Sequence, residues 1–160
     1  LSENYENIEI EISSNKIIFY INNLILISKL IDGNFPDYTR VIPKNNNNDL
    51  KINRENLLSA VDRVSTIANE KSPSIKFKLL ENLINLSSVN SENSTATEDI
   101  NANYDGSEIE IGFNSRYVMD ILDNLEGKEI KISFNDNSNP IIIQEKIDSE
   151  NIYVLMPMRV

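Results

Sequence analysis

The chain has 160 residues, a formal net charge of −10 and neither histidine nor cysteine. Without those two residue types there is no Ser-His-Asp triad, no Cys-His pair, no disulfide and no ordinary zinc site, so carboxylates, Lys, Tyr, Ser and Thr carry whatever chemistry the chain has. No apolar run approaches the roughly 18 residues that cross a bilayer, and the start, Leu1-Ser2-Glu3-Asn4, reads as the beginning of an internal fragment.

The first stretch, Ile8-Glu9-Ile10-Glu11-Ile12, alternates apolar and polar residues with the period of a half-buried strand. Ser13-Ser14-Asn15 is a turn, residues 16–21 are a β-branched and aromatic strand, Asn22-Asn23 turns again, and residues 24–31 form a third strand. The prediction is an antiparallel meander ended by Asp32-Gly33-Asn34. Pro36 lacks an N–H and pushes Phe35 to extended geometry, so a sheet interior cannot continue there. Pro43 and the run Asn45 to Asn48 mark a domain boundary near residues 43–50.

Asn53 is a suitable N-cap. Leu57, Ala60, Val61, Val64, Ile67 and Ala68 recur at helical spacing, which predicts an amphipathic helix over 54–69, stopped by Pro73. Strands follow at 74–80 and 83–89 across a Glu81-Asn82 turn, then near 95–104, where Asp105-Gly106 is a hairpin signal leading into the alternation of residues 108–113. Asn114 caps a second helix with Val118, Ile121, Leu122 and Leu125 on one face and Gly127 as its C′ residue. Strands at 129–135, 140–146 and 151–157 complete the chain. Residues 129–133 and 140–143 repeat the pattern of residues 9–13 and 16–19, each followed by a third strand, so the chain reads as the tail of one domain and the whole of a similar α+β one.

Paired carboxylates are one catalytic arrangement the composition leaves open. Glu9/Glu11 and Glu108/Glu110 alternate with Ile and read as the solvent faces of strands; Asp120/Asp123 lie on the second helix. A carboxylate-based hydrolase and a generic β-rich binding module are the alternatives to the reading that follows.

Four segments together resemble the bacterial DNA polymerase III beta subunit, the sliding clamp. They are Asp32-Gly33-Asn34-Phe35-Pro36-Asp37-Tyr38-Thr39-Arg40-Val41-Ile42-Pro43, the stretch 65–71 ending Ala68-Asn69-Glu70-Lys71, Glu110-Ile111-Gly112-Phe113-Asn114 with Tyr117, and the tail Tyr153-Val154-Leu155-Met156-Pro157-Met158-Arg159-Val160. The resemblance implies the DNA clamp fold: three similar domains per subunit, and two subunits closed head to tail around duplex DNA. Residues 1–43 would be the last strands of the middle domain and 44–160 the third domain, with antiparallel sheets and two helices.

The resemblance also implies sites. A partner-peptide pocket would draw on Pro36, Arg40, Val41, Asn114, Tyr117, Ser138, Val154, Met156, Pro157, Met158 and Arg159. Val and Pro make rigid apolar walls and Met an adaptable one, while arginines hydrogen-bond the rim. Ser138 and Pro140 stand where the family often has an apolar lining. Arg63, Arg116, Lys128 and Lys131 would face DNA through sequence-independent phosphate contacts. Thr66, Ile67, Glu92 and Glu98 would contribute to the ring interface, Ile67 having a core role as its alternative. The implied partners are the polymerase III catalytic subunit, the clamp loader, other proteins with a clamp-binding motif, and double-stranded DNA held by topology. The resemblance implies neither metal, cofactor nor membrane, and the implied location is cytoplasmic. The full-length subunit would be a homodimer; this chain alone would form no native ring, would bind DNA negligibly and would bind partner peptides weakly.

Overall fold

A computed structural model describes residues 7–34, 37–69, 71, 73–90, 92, 94–145 and 151–159. The chain divides into two compact units, Leu1–Asp37 and Tyr38–Val160.

The first unit is the expected meander: β1 (Glu9–Ile12), β2 (Lys16–Ile21) and β3 (Leu24–Lys29), antiparallel in the order β1-β2-β3. Ile21 pairs with Leu24 across Asn22-Asn23. Asn22 takes φ 51°, the left-handed conformation that Asn tolerates and a tight two-residue hairpin requires. The third strand ends at Lys29 rather than at residue 31, and Leu30 N–H makes the last bond in register with β2, to Asn15 O at 2.9 Å. Ile18 is buried, while Ile10, Ile12, Leu24, Ile25, Leu26 and Ile27 remain more than half exposed.

The second unit contains β4 (Asn48–Asn53), α1 (Arg54–Ser65), β5 (Ser74–Leu80), β6 (Leu83–Val89), β7 (Thr95–Asn101), β8 (Ile109–Asn114), α2 (Ser115–Asp123), β9 (Glu129–Phe134), β10 (Ile141–Gln144) and β11 (Tyr153–Leu155). They form two four-stranded antiparallel sheets, β11-β10-β9-β4 and β7-β6-β5-β8. The expected internal repeat is visible in β9-β10-β11, a meander like β1-β2-β3.

Period-two burial explains the sheets. Ile75, Phe77 and Leu79 of β5, with Ile84 and Leu86 of β6, point inward and their neighbours outward. In β9 and β10, Ile130, Ile132, Ile141 and Ile143 do the same. The helices supply Leu57, Ala60, Val61 and Val64 from α1 and Val118 and Leu122 from α2 to one continuous core. Each large aliphatic side chain removed from water in this way contributes about 1.5–3 kcal/mol.

Several boundaries differ from the prediction. β4 falls where the sequence suggests a linker; its alternation rests only on Leu50 and Ile52, set among Asn and Asp, yet it pairs with β9 from Asn48↔Phe134 to Asn53↔Glu129. Asn53 thus ends a strand and caps α1, accepting from Asn56 N–H at 2.9 Å. α1 stops at Ser65 rather than at residue 69. The hydroxyls of Ser65 and Thr66 both donate back to Asp62 O at 3.1 Å, a local competition that disfavours helix continuation. Ile67 therefore lies past the helix, half-buried, and is not part of the buried core.

Asp105-Gly106 does not make a hairpin. β7 and β8 lie on opposite edges of their sheet, and residues 102–108 cross between them. Several contacts hold that crossing, among them Asn82 N–H to Tyr104 O at 2.9 Å. Lys51 and Asn103 exchange N–H···O bonds of 3.0 and 2.8 Å, and the buried Tyr104 donates its hydroxyl to Ser107 O at 2.6 Å. Gly127 is not the C′ residue of α2 either, since the C-cap is Asn124. Its N–H, with that of Glu126, donates to the Glu145 carboxylate instead.

Candidate functional site

The chain leaves the first unit through a single 3-10 turn, Tyr38–Arg40, closed by Val41 N–H donating to Tyr38 O at 3.0 Å. Tyr38 and Val41 stay exposed, at 63% and 54%. On β11 the alternation turns Leu155 into the core and Val154 to the other face. Val154 and Ile152 meet Tyr38, Val41 and Ile42 around one depression of about 370 Å³. Five apolar or aromatic side chains gathered at a surface, with no charged side chain among them, suit a bulky apolar side chain of a partner.

A larger depression of about 720 Å³ lies by the tail. Gly112, Asn137, Ser138, Pro157, Met158 and Arg159 line it, along with the Lys76–Glu110 ion pair at 3.2 Å. Met158 N–H donates to Gly112 O at 2.9 Å and so fixes the tail against β8. A third depression, about 280 Å³, includes Arg40, Val41, Lys44 and Asn45 on one side and Asn135, Asn139 and Pro140 on the other. Val41 lines both the first and the third.

The residues expected in one pocket are therefore distributed. Val41 and Val154 share the apolar depression. Ser138, Pro157, Met158 and Arg159 share the larger polar one, and Arg40 lies in the third. Met156 is 57% exposed. Asn114 is engaged in capping α2, accepting from Arg116 N–H at 3.0 Å, and Tyr117 stands exposed on that helix. Pro36 lies outside the described residues. Sequence reading missed Tyr38, Ile42 and Ile152. For Ile152 a signal existed, its two-residue offset from Val154; for the others only the turn brings them into place.

The cations expected to face DNA differ in how far they are engaged. Arg63 grips the Glu98 carboxylate through Nε at 3.0 Å and Nη2 at 2.5 Å, so two residues assigned to different surfaces are one ion pair joining α1 to β7. That hydrogen bond holds Arg63 above its ordinary pKa and Glu98 below its own. Lys131 is mostly covered and pairs with Asp49 at 2.9 Å. Burial pushes the Asp49 carboxyl up, but the bonds from Lys131 and from Ser133 outweigh it and leave the pKa lowered. Arg116 and Lys128 are exposed. Of the residues expected at a ring interface, Thr66 caps α1, Glu92 is exposed in the β6–β7 turn with its N–H on Asn90 Oδ1, and Glu98 is held by Arg63. The carboxylates Glu108 and Glu110 pair with Lys78 and Lys76 across the sheet, at 2.7 and 3.2 Å.

This architecture is that of the DNA polymerase sliding clamps. A sliding clamp from Bartonella birtlesii, solved bound to griselimycin, superposes with a TM-score of 0.86 at 40% identity, covering 96% of this chain and 41% of that one. One from Pseudomonas aeruginosa, solved with a ligand, gives 0.84 at 30% identity, over 96% and 42%. In sequence, the beta sliding clamp of Caulobacter vibrioides (strain NA1000 / CB15N) is 39% identical over 155 residues, and that of Escherichia coli K12 is 35% identical over 152. These cover 97% and 95% of this chain, which spans 42% of the length of either relative. Residues 39–159 match the family model of the DNA polymerase III beta subunit, C-terminal domain, and residues 1–37 match that of its central domain. The chain belongs to the DNA polymerase III beta subunit family.

Proposed function

We propose that the chain is part of a sliding clamp that confers processivity in DNA replication, and that its apolar depression docks partner proteins. Residues 1–43 would supply the last strands of a middle clamp domain and residues 44–160 a third one. In the whole subunit, two copies would close head to tail around duplex DNA and hold it by topology. The polymerase III catalytic subunit, the clamp loader and other proteins carrying a clamp-binding motif would then dock on the ring. The role is non-catalytic and cytoplasmic: tethering needs neither nucleotide nor metal, and the chain offers no histidine or cysteine for catalysis.

The observation that carries the reading is the meeting of Val41 with Val154 in one depression, although the two lie far apart in the chain. Apolar anchors seated in such pockets dominate the energetics of peptide docking. The net charge of −10 fits a ring that needs only a modest basic lining, not an adhesive DNA surface.

The test is an NMR titration of the 15N-labelled chain with a short peptide carrying leucine and phenylalanine. Backbone signals of Val41, Ile152 and Val154 should shift together, and Val154→Asp should weaken binding at least about tenfold, as expected when a charge faces a buried apolar anchor. Shifts scattered over the surface, or full affinity in Val154→Asp, would exclude this depression as the docking site.

A further inference from the structure

The depression that shares Val41 with the apolar one has the opposite chemistry. Its lining holds two cations, Arg40 and Lys44, and no carboxylate, in a chain whose net charge is −10. Lys44 is exposed and forms no ion pair among the described residues. The wall that carries it is fixed, because Asn46 Nδ2 donates to Ser133 O at 2.9 Å and Pro140 O at 3.1 Å, bonding the segment to the end of β9 and to the residue before β10. The acid of that loop, Asp136, is occupied within the loop itself. It accepts from Ser138 N–H and Oγ, from Asn139 N–H and Nδ2, and from Asn135 Nδ2.

We propose that this depression is an acid-accepting subsite for the carboxylate of an aspartate or glutamate that flanks the bulky apolar residue of a docked peptide. The inference rests on the docking reading above and specifies the partner's chemistry. An extended peptide advances about 3.3 Å per residue. Val41 lines both depressions, so a peptide whose apolar anchor lies against Val41 would present its neighbouring residue to the side of Val41 that Lys44 and Asn45 line. The lysine supplies the charge and the amides fix direction, and the pairing discriminates among partners more than it adds affinity.

The experiment compares two peptides with the same apolar residues and either Asp or Asn at the flank, titrated into the full chain and followed by NMR. The readout is the ratio of their affinities. The Asp peptide should bind about two- to fivefold tighter, the range of a solvent-accessible ion pair, shift the signals of Lys44 and Asn45, and lose its advantage as salt rises. Lys44→Ala should lower the ratio toward unity, Arg40 remaining in the lining, and Lys44→Glu should lower it further, to unity or below. Equal affinities in the unaltered chain, or a ratio that survives Lys44→Glu, overturn the subsite while leaving the docking reading intact. If neither peptide binds, or if Val154→Asp leaves both affinities unchanged, the docking reading fails and takes the subsite with it.

Discussion

Val41 shows how much one residue's surroundings decide. In sequence it is an ordinary apolar position after a turn; in the fold it walls both an apolar and a cationic depression. Asp136 is a second case. Hydrogen bonds from the backbone of Ser138 and Asn139, then from their side chains, hold its carboxyl well below the usual carboxylate range. A carboxylate depressed in the folded state contributes stability that is present above its unfolded pKa, about 4, and lost as pH falls through the folded value. Glu98 and Asp49 are lowered as well and act in the same direction. Thermal melts should therefore show a falling midpoint between about pH 4 and pH 2. Asp136→Ala should melt lower near neutrality and lose less on acidification; an acid profile identical to that of the unaltered chain would remove Asp136 from this account.

Among the elements, the helices depend on asparagines at their starts. Asn53 and Asn114 have extended backbones and accept from Asn56 and Arg116 N–H. Such caps contribute about 1 kcal/mol. Asn53→Ala should destabilise the chain by about that amount in urea unfolding, and Asn53→Asp, which keeps the acceptor, should recover most of it. Equal losses in both variants would mean that the pairing of Asn53 with Glu129 in β4, rather than the cap, is what the substitution disturbs. The sheets show the limit of periodicity as a guide. β5 and β6 are evident because seven-residue runs alternate cleanly. β4 is hidden because its two inward residues stand among asparagine and aspartate, and only its register with β9 makes it a strand.

At the scale of the whole second unit, the two sheets are linked at their edges. Lys51 pairs with Asn103, and Met158 with Gly112. The crossing from β7 to β8 passes Tyr104, which packs on Phe134 with ring centroids 5.9 Å apart. A Cβ on Gly106 would meet the Tyr104 hydroxyl oxygen at 2.5 Å and Cζ at 2.6 Å. Gly106→Ala should therefore cost about 1–3 kcal/mol, as overpacking does, and lower the melting midpoint by roughly 2–4 °C per kcal/mol. An unchanged midpoint would mean that the loop, not the ring, gives way. The second bridge also bears on the proposed docking site, because Met158 N–H on Gly112 O anchors the tail just beyond the strand that carries Val154.

The sequence by itself determined the local elements: β-strands from alternation, hairpin turns from Asn-Asn and Glu-Asn, helix starts from Asn53 and Asn114, and a repeated meander from two similar Ile-rich stretches. These depend on neighbours within a few residues, where periodicity and backbone preference act directly. Only the tertiary structure decided that β7 and β8 occupy opposite edges, that Arg63 is bound to Glu98, and that Val154 and Arg159, assigned to one pocket, line different depressions. Each of those outcomes depends on which distant segments pack together, and no local pattern encodes the distance between them.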